Sequence, residues 1–336
     1  MPKTIYLTIN SVCNLKCKMC DFGQKTDSQF YSNMNKKAQL SLEDIKQICY
    51  KVKSFDPKIS IISTEPTLHP QIVDIIREIK CSGLSCSITT NGFLLKNFAK
   101  LFLDNKLDEI WISLDGPPKI HNLQRGVANS YENAVSGIRE LIDLKNKNQL
   151  NYPKININYT ITPENYNQIK LFLDGLDFIS EIEHISFSHI NYITEDMANT
   201  HNKRYSNICI ATPTCIKGID LNEINVDELL ENINFARKYK KISFTPELFT
   251  KEKISGYYFT AKFISKKKCL IPWVAMQIQS NGDCIVMTRC FDMVLGNILK
   301  QNLNEIWNGQ KYKHFRKELN KVGGAFPACS RCCGVL

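Results

Sequence analysis

The 336-residue chain predicts an α/β fold, a partial (β/α)6 barrel followed by a small C-terminal domain built from a β-hairpin and a helix. Three observations predict it. Short apolar, β-branched runs alternate six times with helical patterns in the first two-thirds of the chain, which is how a parallel sheet with right-handed crossovers is written. The chemistry-bearing residues fall just behind strands, where such barrels place function. From about Cys269 the pattern changes to a hairpin around Asn281-Gly282.

In chain order, Ile5–Ile9 reads as the first strand, with a cysteine cluster directly behind it. Ser41 reads as an N-cap, with Asp44 at the capping-box position, for a helix to about Phe55. A strand is expected at Ile59–Ser63, a helix at Gln71–Lys80, a strand at Leu84–Thr90, a turn at Asn91-Gly92 and a helix at Leu94–Leu103. Glu109–Leu114 reads as a strand ending in Asp115-Gly116-Pro117-Pro118, and Tyr131–Leu144 as an amphipathic helix. Lys154–Ile161 and His184–Ser188 complete the six strands, with a helix near Asn165–Leu173 between them.

Residues 191–221 read as a long polar connection, of the length used for functional lids. A helix over Val226–Lys240 and a strand-like stretch at 242–248 follow. Trp273–Gln279 and Cys284–Thr288 read as the hairpin, and Leu303–Leu319 as one helix before the cysteine-rich tail. The expected domains are therefore 1–220 (barrel with its lid loop), 221–264 (a connecting helix and strand) and 265–336 (the small tail domain).

Composition narrows the class. With 43% hydrophobic and 23% charged residues the chain is not disordered, collagenous or coiled-coil. No stretch approaches the ~18 apolar residues of a membrane span, and the N-terminus lacks a signal peptide's apolar run. A cytoplasmic protein with no membrane partner is expected. The net charge of +10 is first read as a Lys-rich solvated surface, with anionic partners, including phosphorylated or nucleotide-linked substrates, as the functional reading. The longest basic run is the three lysines at 266–268, so no nucleic-acid partner is expected.

Fourteen cysteines are the informative count. In a reducing compartment they point to metal ligation or redox chemistry rather than to disulfides. Cys13, Cys17 and Cys20 lie on one loop behind the first strand. Soft thiolates suit zinc or iron–sulfur clusters. Structural zinc takes four ligands, and no fourth lies nearby in sequence. Three thiolates on a cubane leave one iron open for a substrate or cofactor.

This loop, CNLKCKMC, resembles the motif of the radical S-adenosylmethionine (radical SAM) superfamily, with Met19 where that family usually has an aromatic. Ser63-Thr64-Glu65-Pro66 resembles the family's Gly-Gly-Glu-Pro segment, both glycines being replaced. Thr90-Asn91-Gly92, Ser113-Leu114-Asp115-Gly116, His121 and Arg125-Gly126 match later family segments. The resemblance implies a [4Fe–4S] cluster on Cys13, Cys17 and Cys20 and a cofactor pocket. It assigns Glu65 with the Ser63 and Thr64 backbone to the amino group of S-adenosylmethionine, and Met19 to a backbone contact. Ser113 and Asp115 face its ribose or carboxylate, Arg125 pairs with the carboxylate, and Asn91 and Thr160 belong to the same cofactor pocket.

Cys269, Asn281-Gly282-Asp283, Cys290 and Cys329-x2-Cys332 resemble the SPASM/twitch extension of that superfamily, which implies one auxiliary [4Fe–4S] cluster on Cys269, Cys290, Cys329 and Cys332. Met287 stands where the family usually has its second cysteine, Cys284 is the alternative to Cys290, and Cys333 an alternative to Cys332. The single auxiliary cluster resembles the aminocyclitol-dehydrogenase arrangement. The chemistry implied is a 5′-deoxyadenosyl radical that abstracts hydrogen from an alcohol of a carbohydrate-like small molecule, with an electron donor such as flavodoxin or ferredoxin. Peptide or protein modification is the alternative, as is epimerisation with Cys209 or Cys215 as hydrogen donor. A zinc-stabilised nucleic-acid-binding protein is the reading outside enzymes.

Overall fold

The computed structural model describes residues 1–21, 39–214, 219–260, 268–287, 291 and 293–332. Seven strands run parallel in chain order: β1 (Thr4–Leu7), β2 (Lys58–Ile61), β3 (Cys86–Thr90), β4 (Glu109–Ser113), β5 (Lys154–Ile161), β6 (His184–His189) and β7 (Ile242–Thr245). Their register lines up like with like. Leu7, Ile61, Ile88, Ile110 and Ile155 stand side by side across five strands, and all five are buried. β-branched side chains buried on a pleated surface explain both the strands and their pairing.

The crossover helices cover this sheet. α1 (Leu42–Val52) begins at the expected capping box, Ser41 accepting from Asp44 N while Asp44 Oδ2 accepts from Ser41 N. It is followed by α2 (Ile72–Cys81) and α3 (Leu95–Asp104), and their buried Ile45, Ile48, Ile75, Ile79 and Phe102 recur at helical spacing. α5 (Ser130–Lys147) packs against α3 at Gly137, where a Cβ would stand 2.6 Å from Leu95 Cβ. α6 (Ile169–Asp174) lies between β5 and β6.

Several features differ from the sequence expectation. The strand-like stretch after 240 joins the barrel as β7, paired parallel with β6. The 191–221 segment contains a helix, α7 (Glu195–Tyr205), capped by Thr194. Only Ala198 and His201 of α7 are buried, so it carries no apolar stripe for periodicity to detect. α4 (Pro118–Arg125) starts on Pro118 and ends at Gly126 in the left-handed region (φ 69°). The next helix, α8 (Val226–Ala236), ends sooner than expected, and α9 (Lys251–Phe259) begins at the N-cap Thr250.

In the tail, α10 (Ile271–Val274) takes up Trp273, so the hairpin starts later, as β8 (Ala275–Ile278) and β9 (Asp283–Ile285), with β10 (Gly296–Asn297) beyond. The expected helix 303–319 is two, α11 (Leu303–Trp307) and α12 (Gln310–Lys321), broken at Asn308-Gly309. β8 pairs parallel with β1, Leu7 opposite Ile278, so hairpin and barrel share one sheet. The strand that leads into the cysteine loop therefore has β2 on one side and the tail on the other. Among the described residues no helix is long and apolar enough to cross a membrane.

Candidate active site

The cysteine loop follows β1 and is fastened from three directions. The first is the segment after β2. Ser63 Oγ accepts from Ile9 N at 2.6 Å and Asn10 N at 3.2 Å, and Thr64 Oγ1 donates to Val12 O at 2.5 Å. Glu65 N also donates to Val12 O (3.1 Å), while Asn10 Nδ2 donates to Glu65 O (3.0 Å). The two residues that stand where the family has glycines thus tie down the approach to Cys13.

The second direction is the β3 end, where Asn91 Nδ2 lies 2.8 Å from Asn14 Oδ1 and 3.9 Å from Cys13 Sγ. The third is the end of α4. Lys16 N donates to Arg125 O (3.2 Å) and Lys18 N to Gln124 O (2.9 Å). Gly126 makes this contact possible, because a Cβ there would stand 2.5 Å from Lys16 O.

Behind the loop several buried polar groups are paired inside the fold. Glu65 is fully buried, and its carboxylate accepts from Thr67 N (3.0 Å), Thr67 Oγ1 (2.6 Å), Thr90 Oγ1 (2.7 Å) and Asn91 N (2.7 Å). Burial raises its pKa, and those donors oppose the rise. Asp115, also fully buried, accepts from Thr160 N (2.8 Å) and faces Arg125 Nη2 at 2.5 Å. Burial raises the Asp115 pKa, and Arg125 opposes it. His121 Nδ1 accepts from Asp115 N (3.0 Å), and burial followed by Arg125 pushes its pKa well below the ordinary value. It is therefore a neutral ring that orients the strand end.

Arg125 also reaches the loop, with Nη1 3.8 Å from Cys17 Sγ. Burial alone would lower its pKa, but Asp115 and Cys17 outweigh burial and raise it, so it stays charged. Burial pushes the Cys13 thiol up to about 11 and raises Cys17 too, with Arg125 the main opposing influence on Cys17. Cys20 and Met19 on the loop, and Ser113 and Thr160 at the ends of β4 and β5, are half-buried. The structure thus brings Cys13, Cys17, Ser63, Thr64, Glu65, Asn91, Asp115, Arg125 and Thr160 into one linked network. Asn10 and Gln124, which sequence reading did not single out, are part of it. Gln124 is held by Thr162 Oγ1 at 3.0 Å.

The tail thiols form a second group. Cys269 N donates to Gly324 O (2.9 Å) and Cys332 N to Cys329 O (3.1 Å). Cys329 is buried and pushed up to about 12, mainly by burial and in part by the Cys269 thiol. Between Cys329 and Cys332, the buried Arg331 lies 5.5 Å over the Tyr257 ring and donates to Tyr192 Oη (3.3 Å) and Gly256 O (3.2 Å). The sequence signal for that anchor was its place inside the Cys-x2-Cys. Cys284 is buried in the hairpin, its thiol 3.9 Å from Gly282 O. Cys209 is buried against His201, with Sγ 3.7 Å from Nε2. Cys290, Cys333 and Cys215 lie outside the described residues. A cavity of about 610 Å³, lined by Tyr192, Met197, Tyr258, Phe326, Ser330 and Arg331 among others, opens between α7, α9 and this tail segment.

Residues 7–175, half of the chain, match the family described as the radical SAM superfamily. The chain belongs to the radical SAM superfamily. Residues 269–333 match the SPASM family, described as an iron-sulfur cluster-binding domain. This radical SAM protein is accordingly an enzyme that takes a [4Fe–4S] cluster and S-adenosylmethionine, with auxiliary iron–sulfur binding in its SPASM segment. That membership displaces the zinc-stabilised nucleic-acid-binding reading.

It is 32% identical over 184 residues to a probable GTP 3',8-cyclase of Metallosphaera sedula, a match spanning 53% of this chain and 54% of that protein. The chain thus spans about half the length of that curated relative. It is 24% identical over 98% of its length to a tungsten-containing aldehyde ferredoxin oxidoreductase cofactor-modifying protein of Pyrococcus furiosus, covering 87% of that protein. Among solved structures, Streptococcus suis SuiB bound to S-adenosylmethionine superposes with a TM-score of 0.63 at 20% identity, covering 94% of this chain and 68% of SuiB. The anSMEcpe structure with bound AdoMet and a peptide gives 0.60 at 18% identity, covering 94% of this chain and 82% of that one. At these identities the two structures share the fold.

Proposed function

We propose that this enzyme generates a 5′-deoxyadenosyl radical from S-adenosylmethionine and uses it to remove a hydrogen atom from its substrate. One observation carries the reading: the three-cysteine loop is hydrogen-bonded to the same strand-end segments that bear Ser63–Glu65, Asn91 and Arg125. Cys13, Cys17 and Cys20 are assigned as the ligands of the cluster. The donor set fits it, being three soft thiols on one loop with a guanidinium 3.8 Å from Cys17 Sγ to favour the thiolate. When bound, the N-terminal cluster supplies one electron that releases methionine and the radical from S-adenosylmethionine, and the auxiliary cluster supplies an acceptor for the electron the substrate gives up.

The chain itself supplies position and dryness. Backbone at 63–65 and at Met19, with the polar groups of Asn91, Ser113 and Thr160, is assigned to the cofactor. Glu65 and Asp115 hold that backbone through the bonds described above, and Arg125 lies between Asp115 and the loop. Cys269, Cys290, Cys329 and Cys332 are assigned to the auxiliary cluster, and the 191–221 segment and the tail are assigned the task of keeping water from the radical.

The outcome we assign is oxidation of an alcohol on a carbohydrate-like small molecule. Modification of a peptide is the second reading, favoured by the fold shared with SuiB, which has been crystallised with its precursor peptide, and with anSMEcpe. Anaerobic incubation of reconstituted enzyme with S-adenosylmethionine and a panel of aminocyclitols, nucleotide sugars and short peptides tests this. Substrate-dependent 5′-deoxyadenosine with a product two mass units lighter from an alcohol supports oxidation. The same response from peptides alone overturns the carbohydrate reading.

A further inference from the structure

The barrel strands present two unlike faces. Ile157, Tyr159, Ile185, Phe187 and Phe244 are buried on one of them. Tyr159 and Phe187 stand 5.1 Å and 6.5 Å from the ring of Phe172 on α6, so that face looks toward the helices. Side chains alternate across a strand, so the residues in between face the barrel interior. On β5, β6 and β7 these include Asn158, Ser186, Ser188 and Thr245, all half-buried. The parallel register sets Asn158 beside Ser186, and Ser188 beside both Thr160 and Thr245. One layer nearer the strand starts, Trp111 of β4 and His184 of β6 flank Asn156. Their rings meet edge to face at 6.0 Å across the intervening strand, as a concave surface allows.

Among the described residues, the side chains of Asn158, Ser186, Ser188 and Thr245 form no hydrogen bond within the fold, whereas Ser243 on the same face is held by His184 at 2.8 Å. The lysines and carboxylates on this face of β2 to β7 sit at the strand starts and are paired. Lys58 is 2.6 Å from Glu109, and Lys154 is 3.3 Å from Glu183. Burial lowers the pKa of His184, so its ring is neutral too. A phosphate would meet no free cation on this face and an amine no free carboxylate, and a charge left unpaired there is costly.

Hydroxyls and carboxamides both donate and accept, so these four side chains match a ligand whose own groups do both. Neighbouring strands lie about 4.8 Å apart and alternate residues of one strand about 6.6 Å apart, which makes a patch the size of one six-membered ring. The aromatic pair beneath suits the C–H face of such a ring. Ser188 adjoins Thr160, so the patch begins one strand from the groups assigned to the cofactor.

We propose that Asn158, Ser186, Ser188 and Thr245 form the substrate-binding wall, and that its ligand is a neutral polyhydroxylated ring carrying neither phosphate nor amine. This rests on the carbohydrate reading above and narrows it.

The test is calorimetric binding to the reconstituted full-length enzyme with S-adenosylmethionine and no reductant. The probes are neutral cyclitols and hexoses led by myo-inositol and glucose, with glucose 6-phosphate, glucosamine and a serine-containing tripeptide as competitors. A neutral ring should bind more tightly than its charged counterparts. Ser188→Ala/Thr245→Val should weaken it about tenfold, at about two- to tenfold per hydrogen bond, and leave S-adenosylmethionine affinity within about twofold. Wild-type affinity for the neutral ring in that variant would overturn the wall, as would an equal loss of S-adenosylmethionine affinity, which would mark the two residues as structural. Failure of every neutral ring at millimolar concentration would overturn it as well. Tighter binding of glucose 6-phosphate or glucosamine would overturn the neutral ligand and leave the carbohydrate reading standing, whereas binding of the tripeptide alone would overturn both.

Discussion

Arg125 sets Nη1 3.8 Å from Sγ of Cys17, with both side chains almost wholly buried. Its other terminal nitrogen is 2.5 Å from Asp115 Oδ2, so one guanidinium joins the strand after which the fourth helix begins to the loop of thiols. A cation in this position offsets negative charge as the thiols are deprotonated on metal binding.

Removing it is costly in two ways. Arg125→Ala leaves the buried Asp115 carboxylate without its partner, which should lower unfolding free energy by about 3–5 kcal/mol, read from urea titration of the apo-protein. The conservative Arg125→Lys should recover part of that stability. If Arg125→Ala unfolds with the wild-type midpoint, the pair is not the anchor described here.

Ser63 and Thr64 predict the opposite of what their family counterparts suggest. Because their hydroxyls hold Ile9, Asn10 and Val12, restoring the glycines should harm this protein. Ser63→Gly/Thr64→Gly removes these three bonds and adds backbone freedom, a loss of about 2.5–6.5 kcal/mol at roughly 0.5–1.5 kcal/mol per hydrogen bond plus about 0.5–1 kcal/mol for each glycine. A proteolysis rate across residues 9–20 that matches wild type would contradict it.

Glu65→Ala strips four donors of their acceptor in a fully buried site. Apo-protein stability should fall by at least about 1–3 kcal/mol, and S-adenosylmethionine affinity should weaken while iron content is retained. Equilibrium binding to the reconstituted variant checks this. Wild-type affinity in a folded Glu65→Ala protein would show that Glu65 does not position the cofactor-binding backbone.

His189 gives a pH dependence. It is buried at the end of β6, with Nδ1 2.7 Å from Tyr258 Oη, and burial lowers its pKa to about 3. The unfolded chain binds this proton at an ordinary pKa of about 6.5, so between those values the unfolded state holds more protons. Stability is therefore full above about pH 6.5 and falls as pH drops, with a limiting slope of about 1.4 kcal/mol per pH unit from this one group. His189→Gln should flatten the fall in urea midpoint between pH 6.5 and 5. An identical pH profile for the two proteins would show that His189 is charged in the fold.

Residues differ in how openly the sequence declares them. The strands around Ile59, Ile88 and Ile110 are legible because β-branched residues recur in short runs, and Ser41 with Asp44 announces a helix start through local chemistry. α7 is not legible, because a helix that buries only Ala198 and His201 has no apolar period. The cysteine loop is visible from spacing alone, since three thiols on one turn need no long-range information. The partnerships of Arg125 with Asp115, of Ser63 with Ile9 and Asn10, and of Arg331 with Tyr192 join residues distant in sequence or turned inward by the fold. No composition or period encodes them.

The auxiliary site is tested by metal content. Two cubane clusters require about eight irons per chain. Cys329→Ala/Cys332→Ala should halve the iron, leave 5′-deoxyadenosine formation and abolish oxidised product. Full iron content in that variant would remove these two cysteines from the cluster, and retained product at half the iron would make the second cluster structural.

The central claim is that Cys13, Cys17 and Cys20 together hold the centre from which the radical is made. The most direct measurement is 5′-deoxyadenosine formed anaerobically from S-adenosylmethionine under dithionite, in wild type and in Cys13→Ala/Cys17→Ala/Cys20→Ala. The wild type should form it. The triple variant should form none while keeping the auxiliary half of the iron. Deoxyadenosine from the triple variant at the wild-type rate would contradict the account.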